Sequence, residues 1–160
     1  MSRSHIPCSG QKGFTAIEIL VVIAIVFIIT SIGLFAFISA RKTKELSVLS
    51  DQIYFTLEHA KSDAVSGKNG VGAGVKFSTT TYAFFGGNVY DPANTNNKVY
   101  TVTSGYQITT TLASSDGSVV FSRIYGTPSA TGTVTVADAS APTRKVDIVI
   151  GNLGDLTVIK

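Results

Sequence analysis

The chain has 160 residues, a formal charge of +3 and a hydrophobic content of 44%. This length suggests one domain plus an attached segment, and Cys8, the single cysteine, excludes an internal disulfide. Two of the 13 basic residues, Arg3 and Lys12, precede the first apolar stretch. Without residues 1–13, 11 Lys/Arg face 10 Asp/Glu, a net of +1, which argues against a general nucleic-acid footprint.

The polar leader ends in "QKG" and is followed by 25 nearly unbroken apolar residues, Phe14 to Ile38. A secretory signal has an apolar region of roughly 7–15 residues before a small-residue cleavage site. "ISA" at 38–40 could serve as such a site, but the run is too long. Cys8 precedes the run rather than following it, which argues against a lipoprotein. The length fits a transmembrane helix, for which about 20 residues cross the ~30 Å hydrocarbon core. Glu18 is then anomalous, since a carboxylate in hydrocarbon costs roughly 2.5 to more than 10 kcal/mol depending on the reference state.

The segment "KGFTAIEILVVIAIVFIITSIGL" resembles the signal of type IV prepilins and type II secretion pseudopilins. Glycine followed by phenylalanine, a glutamate five residues after the cut and an aliphatic run carry the resemblance, with Ala16 and Ile19 where leucine is commoner. It implies cleavage by prepilin peptidase between Gly13 and Phe14, N-methylation of Phe14, and an assembly role for Glu18. In a filament the Glu18 carboxylate would meet the terminal amine of a neighbouring subunit and set the axial register. It also implies a single pass through the inner membrane with the C-terminal domain outside the cytoplasm. Arg41, Lys42 and Lys44 after the run, against Arg3 and Lys12 before it, do not clearly favour that orientation by the positive-inside rule.

No proline lies between Pro7 and Pro92, so one helix is expected from Phe14 to about Ser66, with Gly33 the one weak point. About 53 residues at 1.5 Å each give roughly 80 Å. After residue 40 the pattern becomes amphipathic. Leu46, Leu49, Ile53, Leu57, Ala60 and Ala64 recur at spacings of three and four, and charged residues occupy the other faces. Gly67 is the expected C-cap.

From Val71 onward, period-two patterns and turn residues predict strands at 74–78, 81–87, 98–103, 106–112, 117–123, 133–138, 144–150 and 155–160. The first two read as a pair, and the third and fourth flank the turn "SG". Val146, Ile148 and Ile150 share one side, with Lys145, Asp147 and Val149 on the other. The expected fold is α+β: a long N-terminal helix packed on an antiparallel sheet or small sandwich. The divisions are a leader (1–13), a membrane or filament-core helix (14–40), an amphipathic helix (41–66) and a β-rich domain (67–160). "LEHAKSDAVSGKNG", "VVFSRIYGTPS" and "RKVDIVIGNLGDLTV" are similar to the GspH/FimT-type minor pseudopilin domain.

Nothing in the residue pattern points to an enzyme or a cofactor. His59, the one histidine left after processing, reads as a solvated position on the helix face. "GKNGVGAG" lacks the Gly-Lys-Ser/Thr ending of a phosphate loop. Asp91, Asn94, Asn96 and Asn97 supply one carboxylate, too few for a convincing calcium loop. The partners implied by the resemblance are other pilin or pseudopilin subunits, prepilin peptidase, the inner-membrane assembly platform and the membrane. The leading expectation is a minor pseudopilin or pilin. A DNA-binding FimT-like pilin is the alternative, with Arg123, Arg144, Lys145 and Lys160 as candidate phosphate contacts. A surface domain that is anchored but never polymerises is the third reading.

Overall fold

A computed structural model describes residues 13–68 and 70–160. The expected leader lies outside the described residues except for Gly13. One helix, α1 (Ala16–Ser66), is followed by eight strands: β1 (Ala73–Phe77), β2 (Thr81–Gly86), β3 (Lys98–Thr101), β4 (Tyr106–Leu112), β5 (Ser118–Phe121), β6 (Gly132–Asp138), β7 (Ala141–Ile150) and β8 (Leu156–Ile159). The chain divides between Ala40 and Arg41 into two compact units.

In the first unit α1 runs through Gly33 without interruption. Among the described residues, fifteen large apolar side chains between Phe14 and Ile38 stand exposed, Phe14 at 80%. Thr30 and Ser31 donate their hydroxyls to the carbonyls of Val26 and Phe27, each at 2.7 Å, which satisfies those donors without water.

In the second unit, the α1 residues Leu46, Leu49, Ile53, Leu57, Ala60 and Ala64 are all buried, so the spacing of three and four is the packed face. Two four-stranded antiparallel sheets supply the rest of the core, in the orders β3-β2-β1-β5 and β4-β6-β7-β8. The first contributes Val75, Phe77, Tyr82, Phe84, Val119 and Phe121, and the second Ile108, Val134, Val136, Val146, Ile148 and Ile150. Alternation along β7 is as expected, with Val146, Ile148 and Ile150 buried.

The strand bounds follow the hydrophobic pattern with two informative differences. The "SG" turn joins strands of different sheets: β3 pairs with β2, while β4 pairs with β6. Val102 and Tyr106 are both buried on either side of that turn, so the chain passes from one sheet to the other there. Strand β7 begins at Ala141 rather than at 144. The register jumps from Asp138↔Ala141 to Ala137↔Lys145, so Pro142, Thr143 and Arg144 form a bulge in which the missing proline N–H breaks no ladder bond. The 88–97 loop folds back, with Tyr90 meeting Phe85 edge-on at 5.3 Å.

Candidate functional site

The N-terminal site is built by the first turn of α1. Thr15 precedes the helix, and its Oγ1 accepts a hydrogen bond from the Glu18 backbone N–H at 3.3 Å; its carbonyl accepts from the same group at 3.1 Å. "TAIE" therefore places Thr15 at the N-cap and Glu18 at N3, the spacing of a capping box, with the threonine hydroxyl serving the N3 amide. The motif was present in the sequence and escapes a reading that treats Glu18 only as a charge. A carboxylate in the first turn also complements the positive end of the helix dipole. Phe14, Glu18, Ile19, Val22 and Ile23 line a notch of about 260 Å³, apolar apart from the carboxylate. Among the described residues, and apart from its chain neighbours, no atom comes within 4 Å of where a Cβ on Gly13 would stand. Neither packing nor backbone geometry requires glycine at that position.

At the other end of the amphipathic half, two glycine turns meet α1. The Lys61 Nζ donates to the carbonyl of Gly154 at 2.8 Å, and Gly154 approaches the carbonyl of Gly126 closely. "IYGTPS" and "GNLG", distant in sequence, thus form one clasp on the helix. Ile124 in the same turn adopts φ 74°, a conformation that a β-branched residue rarely takes. Hydrogen bonds hold the turn: Ser122 N–H to the Thr127 carbonyl at 2.8 Å, and Gly126 N–H to the Ser122 carbonyl at 3.0 Å.

The four candidate phosphate contacts are not gathered into one stripe. Arg123 lies against Gly67 and donates to the Gly70 carbonyl at 3.5 Å. Arg144 pairs with Asp138 at 2.9 Å, and Lys145 with Asp147 at 3.0 Å. Lys160 donates to Ser47 Oγ at 2.9 Å and stands 3.8 Å from Asp51.

His59 is half exposed, 3.9 Å from the Asp63 carboxylate and edge-on to Phe84 at 4.9 Å. The Asp91 carboxylate accepts from the Ala93 N–H at 2.9 Å, and the Asn94 side chain accepts from the Asn96 N–H at 3.0 Å, both as turn contacts within the loop. Among the described residues, no three His, Cys, Asp or Glu side chains are grouped to hold a metal ion.

Among the described residues the most connected carboxylate is Asp138, which sequence reading leaves unremarked as the last residue of the strand at 133–138. It accepts from the Ser140 hydroxyl at 2.6 Å, the Ser140 N–H at 2.8 Å and Arg144 at 2.9 Å, and Lys42 of α1 lies 3.6 Å away. Tyr106 closes the same corner by donating to the Lys42 carbonyl at 3.0 Å. The Ser140 hydroxyl first, then its N–H and the two cations, hold the Asp138 carboxyl at about 2, against an ordinary 3.8. Asp147 and Asp116 are lowered too, chiefly by the hydroxyls of Thr135 and Ser118. A carboxyl lowered on folding stabilises above its unfolded value, and that contribution fades as pH falls toward the folded value. The thermal midpoint should therefore hold between neutrality and about pH 5, then decline toward pH 2. The Asp138→Asn variant should start lower and decline less over that window, as read by circular dichroism melts across pH. Parallel profiles for the two proteins would refute the role given to Asp138.

One long helix whose second half packs on two antiparallel sheets, and whose first half is bare and apolar, defines a pilin-like protein. The solved structure of the type IV minor pilin FimU from Pseudomonas aeruginosa (strain PAO1) has the same fold: the match covers 72% of this chain and 93% of that one, with TM-score 0.54 at 13% identity. Residues 49–154 match the family described as Type II transport protein GspH, and the chain belongs to that family. A comparison with curated proteins gave no match.

Proposed function

We propose that the chain is a minor pseudopilin, a structural subunit of a type II transport pseudopilus, with a type IV pilus-like filament as the alternative machine. The family match extends over residues 49–154 in sequence, whereas the likeness to FimU is one of fold, and this favours the type II filament. In this reading prepilin peptidase cuts between Gly13 and Phe14 and methylates the Phe14 amine. The inner membrane holds the 14–40 helix with the domain outside the cytoplasm. The assembly platform then transfers the helix into a bundle with other subunits.

The observation that carries the proposal is the bare apolar half of α1. Its most apolar 18-residue window has mean hydropathy 3.0 and is 0% buried within the chain. At roughly 1.5–3 kcal/mol for full burial of each, fifteen large apolar side chains left 50–80% exposed forgo about 14–27 kcal/mol. That is as large as or larger than the ~5–15 kcal/mol stability of a typical domain. Lipid, and later the helices of other subunits, are the environments that remove this cost. The steric freedom at Gly13 supports processing, since the residue then answers to a peptidase rather than to the fold.

Intact-mass spectrometry of the protein from a host carrying prepilin peptidase tests this reading. The expected mass begins at N-methylated Phe14. A chain that retains its leader in such a host refutes it. The DNA-uptake reading would require Arg123, Arg144, Lys145 and Lys160 to be available to phosphates. Arg123 sits by Gly67 at the C-terminal end of α1, whereas Arg144 sits by Asp138 and Lys42 near the start of the amphipathic half, so the four offer no single stripe, which supports the subunit reading instead.

A further inference from the structure

The processing motif leaves unused the basic cluster that follows the apolar run. Arg41, Lys42 and Lys44 come within six residues of Ile38 along α1, roughly 9 Å at 1.5 Å per residue. The headgroup layer on each side of the ~30 Å hydrocarbon core is about 5–8 Å deep. In an anchored chain these cations lie at the level of the lipid phosphates.

The domain adds a fourth cation to the same place. Lys42 stands 3.6 Å from Asp138 and donates to Ser140 Oγ at 3.2 Å, and Arg144 holds the same Asp138 carboxylate at 2.9 Å. Four cations, Arg41, Lys42, Lys44 and Arg144, thus share two carboxylates, Glu45 and Asp138. The Asp138 side chain is only 3% exposed and is taken up by the domain's own contacts. Arg41 is 70% exposed and pairs with Glu45 across one helical turn at 2.8 Å. Such an exposed pair is weak and exchanges readily for another anion. Lys44 is exposed as well. By helical position, Lys42 faces the packed side of α1, and Arg41 and Lys44 fan out on the opposite side.

We propose that Arg41, Lys42, Lys44 and Arg144 form a collar that binds the phosphates of anionic phospholipid headgroups. The inference rests on the anchored reading above and goes beyond it by naming a ligand. It accounts for cations on the side of the membrane where the positive-inside rule expects few. The collar fixes the depth of the anchored subunit and must release its lipids when the helix leaves the bilayer.

The test is lipid selectivity of the full-length protein in bilayers of phosphatidylcholine, using spin-labelled phosphatidylglycerol and spin-labelled phosphatidylcholine as probes. The expected result is that phosphatidylglycerol is preferred at the protein boundary and that salt weakens the preference. Each cation removed should reduce the preference by up to about fivefold. Arg41→Gln with Lys44→Gln is the informative variant, because it leaves the Asp138 contacts in place. Lys98→Gln, beside Phe55 and His59 farther along the domain, should change nothing. A preference undiminished in the double variant, or absent from the native chain in the bilayer, overturns the headgroup site alone. A preference abolished by inorganic phosphate but not by chloride at equal ionic strength overturns its assignment to lipid. A chain that does not partition into the bilayer at all overturns the anchored reading and the collar with it.

Discussion

Gly154→Ala is expected to destabilise the folded domain by about 2–4 kcal/mol. Two costs combine. Gly154 has φ 75°, where a Cβ costs about 1 kcal/mol. A Cβ would also fall inside the contact distance of the Gly126 carbonyl oxygen, which is backbone and cannot rotate away. Overpacking of that kind typically costs 1–3 kcal/mol. One of the two turns must then shift, and the 2.8 Å bond from Lys61 to the Gly154 carbonyl is strained or lost. At about 4 °C per kcal/mol for a domain of this size, the thermal midpoint should fall by roughly 8–16 °C.

Two reference variants separate the costs. Gly126→Ala, at φ 65°, would meet the end of the Val65 side chain at 2.9 Å, a neighbour that can move, so its penalty should be smaller. Gly105→Ala has open space around the added carbon and should report the conformational cost alone. Lys61→Met should couple to Gly154→Ala, the double variant losing less than the sum of the singles, because both act on one contact. Equal losses for Gly154→Ala and Gly105→Ala would show that the clasp does not restrain the domain.

How much of this was legible in the sequence differs by scale. The buried stripe of α1 was readable residue by residue, because a helix face has a strict period and all six of its members are buried. The strands were readable for the same reason, Val146, Ile148 and Ile150 being the clearest case. What alternation cannot carry is which strand pairs with which. Tyr106 looks the same whether β4 continues a hairpin or crosses to the second sheet, since either placement buries its ring. Asp138 was missed because its importance comes from Lys42, 96 positions earlier in the chain, and from a bulge that brings Arg144 round. The clasp was missed likewise: "IYGTPS" and "GNLG" each read as a separate turn, and only the fold puts Gly126 and Gly154 together. Arg144 and Lys160 had no visible carboxylate partners until the fold placed Asp138 and Asp51 beside them, whereas Lys145 and Asp147 already share one side of a strand. Local signals thus survive in sequence, and long-range pairings do not. The N-terminal site belongs to the first kind, since Gly13, Phe14, Thr15 and Glu18 are near neighbours in the chain.

Glu18→Gln is expected to leave cleavage at Gly13 and membrane insertion intact and to reduce entry into filaments by about 100-fold or more. The carboxylate has two separable duties. At N3, three residues after the N-cap Thr15, it stands where a glutamate or a glutamine can serve the free amide of the cap residue, and glutamine performs that duty nearly as well. As a charge it would pair with the methylated amine of a neighbouring Phe14, and glutamine cannot do that. Leaving one member of a buried ion pair without its partner costs about 3–5 kcal/mol, and 1.4 kcal/mol is a factor of ten. Thr15→Ala tests the other duty. Losing an N-cap costs about 1 kcal/mol, so that variant should lose only about fivefold. The order of incorporation, measured by immunoblot of sheared filaments against membrane-retained subunit, should be native, Thr15→Ala, then Glu18→Gln close to Glu18→Ala. If Glu18→Gln instead assembled as well as the native protein, the role of Glu18 would be confined to capping. The axial register would then have to be set elsewhere, with the notch of Ile19, Val22 and Ile23 the next place to look.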